Sequence, residues 1–156
     1  MTQQQADYLI AGGLTVTGDG IAKMDILVSG ETISAIGPKL SATPAGRVID
    51  ASGKYVLPGI VDPHNHPVNT DRMDSFSVSA AFGGITTVIP FVQNLRNRDV
   101  PGTAADTVRS FIEEGEGTSC LDFGIHAILV GDDDVESQVP ELIGMGVISF
   151  KMFMTY

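Results

Sequence analysis

Residues 57–67 read LPGIVDPHNHP, a short apolar run that ends in two histidines one residue apart. A short apolar run bounded by Pro and Gly is typical of a buried β-strand. The pattern differs on its two sides: short strands and turns precede it, and strands alternating with helical stretches follow. The change lies near Tyr55 and Val56. It predicts two domains, residues 1–55 and residues 56–156.

The first region is predicted to be a small antiparallel β-sandwich domain, or the N-terminal part of one. Turn-forming pairs such as Gly12-Gly13 separate its short strands, which is typical of hairpin connections. The region is too small to form a stable domain comfortably by itself. Its candidate strands are residues 8–10, 14–16, 25–28, 32–36 and 47–50.

The second region has the pattern of parallel βα units. Its candidate strands are residues 56–62, 86–91, 123–130 and 147–153, and its helical stretches are residues 73–82, 103–115 and 135–143. Four units make half of a (β/α)8 TIM-like barrel, whereas a complete barrel takes about 250 residues. A half-barrel leaves two apolar strand edges unpaired, so the sequence is a fragment, the gene product is truncated, or another chain supplies the rest. We expect a fragment with an incomplete site.

Two of the helical stretches are amphipathic, with apolar residues at helical spacing. In the second helix the predicted buried face is Ala104, Val108, Phe111 and Ile112, with Glu113 and Glu114 left to solvent. In the third helix it is Val135, Val139, Leu142 and Ile143, and Gly144 is available to end the helix.

His64 and His66 are candidate metal ligands. Side chains at positions i and i+2 of an extended chain point the same way, so the two imidazoles can converge on one ion. Asp62 shares their face and is predicted to orient a ligand by hydrogen bonding without contacting the ion. The alternative is a loop that holds two unrelated histidines. The end of a parallel strand, where barrel enzymes place their catalytic groups, favours the metal site.

Lys151 is the second candidate, because it is the one charged residue in the apolar segment 149–156, SFKMFMTY. A protonated amine is penalised in a buried strand, whereas a neutral amine can add carbon dioxide and form an anionic carbamate that bridges two cations. The alternative is a lysine that reaches solvent from the strand end or pairs with an acid. The histidine pair favours the carbamate.

Composition narrows the classes of partner. The 19 acidic and 9 basic residues give a net charge of −10, which disfavours nucleic acids and anionic membranes. A hydrophobic content of 43% suffices for a buried core. The single cysteine, the lack of a signal-like start and the lack of a long apolar run predict a soluble, cytoplasmic protein that acts on a small molecule.

Four segments resemble the hydantoinase and dihydropyrimidinase group of the amidohydrolase superfamily. Residues 58–66, PGIVDPHNH, are similar to the metal motif of its first barrel strand, and residues 149–156 to its fourth strand. Residues 83–89, GGITTVI, are similar to the entry into the second strand, and residues 119–126, SCLDFGIH, to the third. The resemblance extends in order along nearly the whole chain and is to the N-terminal portion of the group.

The resemblance implies a metal-dependent hydrolase that opens a cyclic amide such as a dihydropyrimidine or a hydantoin. It implies two divalent ions, usually zinc, with His64 and His66 on one ion, carboxylated Lys151 bridging both, and a metal-bridging hydroxide as nucleophile. Tyr156 would donate a hydrogen bond to the oxyanion. The group also uses two later histidines and an aspartate. His126 is predicted to be a packed core residue instead of a ligand, and the full-length protein is expected to be a homo-oligomer.

Other functions stay open at this point. Allantoinases and dihydroorotases share the metal scheme, and residues 67–73, which follow the histidine pair, depart from the hydantoinase pattern in a loop that shapes the substrate pocket. A non-catalytic scaffold related to dihydropyrimidinase would lack the metal ligands, whereas this sequence keeps His64, His66 and Lys151. A metal-free binding module would require covered barrel edges. We expect the 156-residue chain by itself to be inactive.

Overall fold

The computed structural model describes residues 5–67, 71–93, 102–129 and 135–154 of the 156-residue chain. It divides into two compact units, Met1–Pro58 and Gly59–Tyr156. The first unit is built on a β-sheet, and the second combines a β-sheet with helices. Each unit is considered separately below.

The first unit is a five-stranded sheet with the order β3-β2-β1-β4, in which β5 also pairs with β1. Two hairpins join β1 to β2 and β2 to β3 in antiparallel pairs. Both β4 and β5 pair with β1 in parallel. The strands are β1 Ala6–Thr17, β2 Gly20–Ser29, β3 Thr32–Gly37, β4 Ala45–Asp50 and β5 Tyr55–Val56.

The prediction of antiparallel pairing is therefore wrong for this sheet, because two of its four pairings of strands are parallel, whereas the sandwich stays a prediction. The buried carboxylate of Asp25 contributes to this topology. It accepts hydrogen bonds from the Gly12 amide (2.9 Å), at an irregularity in β1, and from the Leu40 amide (3.0 Å), in the connection to β4. That connection returns the chain to the end of the sheet where β1 begins, so β4 runs alongside β1 in the same direction.

The second unit alternates strands and helices, as predicted. Its sheet is parallel throughout, with the order β10-β9-β7-β6, and β8 pairs with β7. This arrangement is an open half-barrel sheet. The elements are β6 Ile60–Asn65, α1 Met73–Phe82, β7 Ile85–Gln93, α2 Ala104–Thr118, β8 Asp122–Phe123, β9 His126–Leu129, α3 Val135–Gly144 and β10 Ser149–Met152.

Three strand predictions need correction. The predicted strands 8–10 and 14–16 are parts of the single strand β1, and Gly12-Gly13 lies at its register shift and not in a turn between two strands. Val56, expected to begin the first barrel strand, instead pairs with Thr15 in the other sheet. Pro58 lacks a backbone N–H and cannot continue a ladder, and β6 begins at Ile60. The predicted third strand is two short strands, β8 and β9, interrupted at Gly124 and Ile125.

The helices cover one face of the second sheet, and the residues of β7 show which face. Val88, Pro90 and Val92 are buried, and Val88 and Val92 belong to the core cluster that includes Val108 and Phe111 of α2. Since neighbouring residues of a strand point to opposite faces, the residues between them, including Phe91, lie on the other face. The sheet therefore has one apolar face that packs on the helices and an opposite face that carries Phe91.

The helix α1 has the predicted bounds, but the predicted burial of two residues in the other helices is wrong. Glu114 is half-buried and accepts a hydrogen bond from the Met73 amide (3.2 Å), which caps α1 where Arg72 makes no side-chain cap. Ile143, expected to be buried, is 56% exposed.

None of the helices in the described part of the chain is long and apolar enough to span a membrane.

Candidate metal centre

The side chain of Phe91 lies at the centre of a cluster on the sheet face opposite the helices. Its ring centroid is 4.7 Å from that of His64, 5.1 Å from that of His66 and 4.6 Å from that of His126. The Nζ atom of Lys151 lies 4.6 Å from the same centroid. Three imidazoles and one amine are therefore gathered around one aromatic ring.

Strand register explains this gathering. Phe91 in β7 pairs with His126 in β9, and His126 pairs with Ser149 in β10. Lys151 follows Ser149 by two residues, so the two side chains emerge on the same face. The histidines of the 57–67 segment reach the ring from the carboxyl end of β6, which pairs with the other edge of β7.

The structure brings His64 and His66 together, with ring centroids 5.5 Å apart. His66 is half-buried, and its pKa is lowered, first by burial and then by the positive charges of Lys151 and His64. A lowered pKa favours the neutral imidazole, which is the form that binds a metal ion. The electrostatics at His66 thus favour the ligating state near neutral pH.

Asp62 acts on the main chain of His64. Its Oδ1 atom accepts a hydrogen bond from the His64 amide (3.1 Å), and its own carbonyl accepts one from Nδ2 of Asn65 (3.2 Å). These two contacts brace the backbone from which the imidazoles project. No contact of the Asp62 carboxylate with an imidazole nitrogen is found among the described residues.

Lys151 is half-buried in β10, where the sequence predicted full burial. Its Nζ atom lies 4.6 Å from the ring of Phe91 and 5.1 Å from the ring of Phe153. Aromatic faces attract a cation, so these two rings stabilise the protonated amine. An anionic carbamate on this lysine would have to turn away from both ring faces.

The donors fit one part of a metal site. Two imidazoles are suitable ligands for zinc, and Lys151 becomes a ligand once it carries a carbamate. The residues that the structure describes include no cluster of three or more His, Cys, Asp or Glu side chains suited to a metal ion. Tyr156, the candidate oxyanion donor, lies outside the described residues.

His126 is not the packed core residue that was predicted, because it lies on the face opposite the helices and both of its ring nitrogens have polar contacts. Its ring is half-buried and stacks on Phe91, with 26° between the ring planes. Nδ1 contacts the Ser149 hydroxyl, and Nε2 lies 3.1 Å from the Pro63 carbonyl oxygen. Sequence reasoning missed both Phe91 and Ser149. The period-two alternation of β7 could have indicated that Phe91 faces away from the helices. The residues of other strands that contact its ring could not be found in this way, because the sheet register determines them.

Comparison with known proteins gives extensive matches along the chain. A D-hydantoinase of Ralstonia pickettii is 37% identical over 158 residues, which cover 96% of this chain and 33% of that protein. A dihydropyrimidinase of Arabidopsis thaliana is 33% identical over 157 residues, which cover 95% of this chain and 28% of that protein. The chain is homologous to the hydantoinases and dihydropyrimidinases.

Solved hydantoinase structures share the fold. One D-hydantoinase structure has a TM-score of 0.82 and 37% identity, with 96% of this chain and 33% of that chain covered. The L-hydantoinase from Arthrobacter aurescens has a TM-score of 0.80 and 30% identity, with 94% and 32% covered. This chain thus spans about a third of the length of the hydantoinases that it matches. No profile of a known protein family matches it.

Proposed function

We propose that this chain is part of a hydrolase that opens a cyclic amide at a C–N bond, with a dihydropyrimidine or a hydantoin as substrate. The observation that carries the proposal is the cluster of His64, His66 and Lys151 around Phe91, in a chain homologous to hydantoinases. His64 lies in β6, His66 directly follows that strand, and Lys151 lies in β10, so the residues belong to the two segments that resemble metal motifs. The substrate class comes from the relatives' names.

In this proposal His64, His66 and a carbamate on Lys151 would hold a pair of divalent ions, with zinc in both positions. Two such ions supply a nucleophile at neutral pH and polarise the amide carbonyl. The remaining ligands come from residues outside this cluster. Tyr156 is proposed to donate a hydrogen bond to the oxygen that becomes negative in the transition state.

The residues of the cluster have distinct tasks. The low pKa of His66 keeps its imidazole ready for a cation, and Asp62 braces the backbone of His64. The apolar ring of Phe91 lies against both imidazoles and the lysine amine, and it has no polar atom that could compete for the ion. Lys151 needs to lose its proton and leave the two aromatic faces before it can take up carbon dioxide.

The proposals on location, assembly and partners extend the expectations from the sequence. We propose a cytoplasmic homo-oligomer with a small cyclic amide or ureide as its ligand and with neither nucleic acid nor membrane as a partner. The high acidic charge supports the last point, since phosphate-rich surfaces would repel it. The first unit is proposed to be part of a β-sandwich that other segments complete, and the second to be the first four units of a barrel.

The test is an intact mass under native conditions combined with metal analysis of the same sample of the full-length gene product. Growth with zinc and bicarbonate should give two divalent ions per subunit and a carbon dioxide adduct on the peptide that contains Lys151. Dihydrouracil, hydantoin, allantoin and dihydroorotate are then assayed side by side. Opening of either of the first two rings supports the proposal.

Three variants make the test specific. His64→Ala and Lys151→Ala should each lower metal content and abolish ring opening, whereas Cys120→Ser, at an exposed thiol, should change neither. Opening of allantoin or dihydroorotate alone would correct the substrate class. A protein without metal and with an unmodified Lys151 would contradict the proposal and support a non-catalytic scaffold.

A further inference from the structure

A chain of polar contacts links three strands across the face that carries the candidate metal centre. The Ser149 hydroxyl in β10 contacts Nδ1 of His126 in β9, and Nε2 of His126 lies 3.1 Å from the carbonyl oxygen of Pro63 in β6. The ring of His126 lies on Phe91 of β7 with 4.6 Å between the centroids. His126 thus reaches over one strand to contact the strand beyond it.

The partners determine which nitrogen of His126 carries the proton. A carbonyl oxygen can only accept a hydrogen bond, so Nε2 must be the N–H that donates to Pro63. In the neutral imidazole Nδ1 is then an acceptor, and the Ser149 hydroxyl donates to it. Ser149 therefore holds His126 in the tautomer that can bind the Pro63 carbonyl.

The contacted stretch of β6 lacks regular ladder hydrogen bonds. The pairing of β6 with β7 is irregular between Asp62 and Asn65, and Asn65 is opposite Pro90. Neither Pro63 nor Pro90 has a backbone N–H to donate. His126 of β9 therefore donates to the Pro63 carbonyl the hydrogen bond that no backbone N–H gives it there. Pro63 directly precedes His64.

We propose that His126, held in its tautomer by Ser149, is a positioning residue that fixes the backbone carrying His64 and His66. The hydrogen bond to the Pro63 carbonyl sets the direction in which the following residues leave β6. The consequence for metal binding rests on the proposed function, whereas the hydrogen bond itself does not. The partners that orient metal ligands typically change metal affinity by about 10- to 100-fold when removed.

Two substitutions at His126 distinguish the contribution of Nε2 from that of Nδ1. The amide nitrogen of His126→Gln lies near the position of Nε2 and retains a donor toward Pro63, whereas that of His126→Asn lies near Nδ1 and cannot reach. We expect His126→Asn to weaken Zn²⁺ binding by the full-length gene product at least about 10-fold. His126→Gln should remain within about threefold of the original affinity, and the matched control Ser79→Ala, on the exposed surface of α1, should not change it.

Measurements on the metal-free protein test the hydrogen bond directly. Nitrogen-15 NMR of the imidazole should show His126 as the Nε2–H tautomer, and Ser149→Ala should yield a mixture of tautomers. The His64 amide should exchange its hydrogen at least about fivefold faster in His126→Asn than in His126→Gln. Circular dichroism of each variant establishes that the comparison is made between folded proteins.

The outcomes are distinct. An Nδ1–H tautomer, or equal His64 exchange and equal Zn²⁺ affinity in His126→Asn and His126→Gln, would overturn the positioning role. If the unsubstituted full-length gene product binds no Zn²⁺ at all, the metal-centre proposal fails. The tautomer and the exchange rates then still decide whether His126 fixes the backbone of β6.

Discussion

Phe91 is the residue around which the candidate centre is assembled. A half-buried aromatic ring within about 5 Å of three imidazoles and an amine both packs against them and holds the amine as a cation. Its contribution is steric and electrostatic, since it has no donor atom. Phe91 therefore acts on the candidate ligands without being one of them.

The first prediction concerns this ring. Phe91→Leu removes the aromatic contacts but keeps an apolar side chain, so the free energy of unfolding should fall by about 1–2 kcal/mol. Zn²⁺ affinity should also fall, because the imidazoles of His64 and His66 lose the aromatic ring against which they pack. Urea denaturation and a chelator-competition titration measure the two effects. The control is Phe82→Leu, whose ring is 91% exposed at the end of α1. Equal losses in both variants would contradict a special role for Phe91.

The sequence predicted His64, His66, Asp62 and Lys151 from residue type and spacing alone. The metal-binding roles of these residues stay predictions, although the structure places both histidines and Lys151 around Phe91. For Phe91 the sequence indicates only the last residue of an apolar strand. An aromatic residue in a buried strand is ordinary core by its sequence, and its neighbours on adjacent strands are separated from it by tens of residues.

At the scale of elements, α2 shows how local residues control a helix. Thr103 and Asp106 form a capping box, in which the Asp106 carboxylate accepts a hydrogen bond from the Thr103 amide (2.9 Å). The pKa of Asp106 is lowered, first by that backbone N–H, then by the Thr103 hydroxyl, and also by Arg109. The ionised carboxylate is thus the form that stabilises the helix.

The second prediction is the pH dependence that follows. Because the folded-state pKa lies below the unfolded value, this stabilisation is present above a pH of about 4 and is lost as the pH falls through the lower folded value. Asp106→Asn should be less stable than the original protein near neutral pH, and the difference should shrink in acid. Thermal unfolding between about pH 2.5 and pH 7 measures it. Glu113→Gln, an exposed carboxylate on the same helix, should show no such convergence.

The third prediction compares two glycines of α2. A Cβ atom on Gly115 would lie 2.5 Å from the Phe123 ring, whereas one on Gly117 would meet nothing within 4 Å. Gly115→Ala should therefore lower the free energy of unfolding by about 1–3 kcal/mol through overpacking. Gly117→Ala should raise it by about 0.5–1 kcal/mol, because alanine favours the helix. Stabilisation by both substitutions would show that Phe123 moves aside without cost.

At the scale of the whole molecule, the described residues supply three candidate metal ligands, which are two histidines and a lysine. The homologous hydantoinases are about three times as long as this chain. The resemblance implies two further histidines and an aspartate for a two-metal centre. The cluster described above lacks them.

The fourth prediction is that the purified 156-residue chain does not open dihydrouracil or hydantoin above the uncatalysed rate. Its cation would have too few ligands for a two-metal site. Ultraviolet absorbance follows ring opening, and a catalytically active hydantoinase serves as the positive control for the assay. Turnover at an ordinary enzymatic rate, about 1 per second or more, would contradict this prediction.

The order of residues alone predicted the alternation of strands and helices in the second unit and the range of α1. It could do so because hydrophobic periodicity and the Gly83-Gly84 pair that ends the helix are local properties of the sequence. It was also enough to single out the histidine pair and Lys151. The parallel pairing of β4 and β5 with β1, the placement of Val56 in the first sheet and the cap that Glu114 provides for α1 were decided by tertiary structure. These features depend on which distant segments pair and in which register. The grouping of four polar side chains around Phe91 has the same origin, because strand register brings together residues that are far apart in sequence.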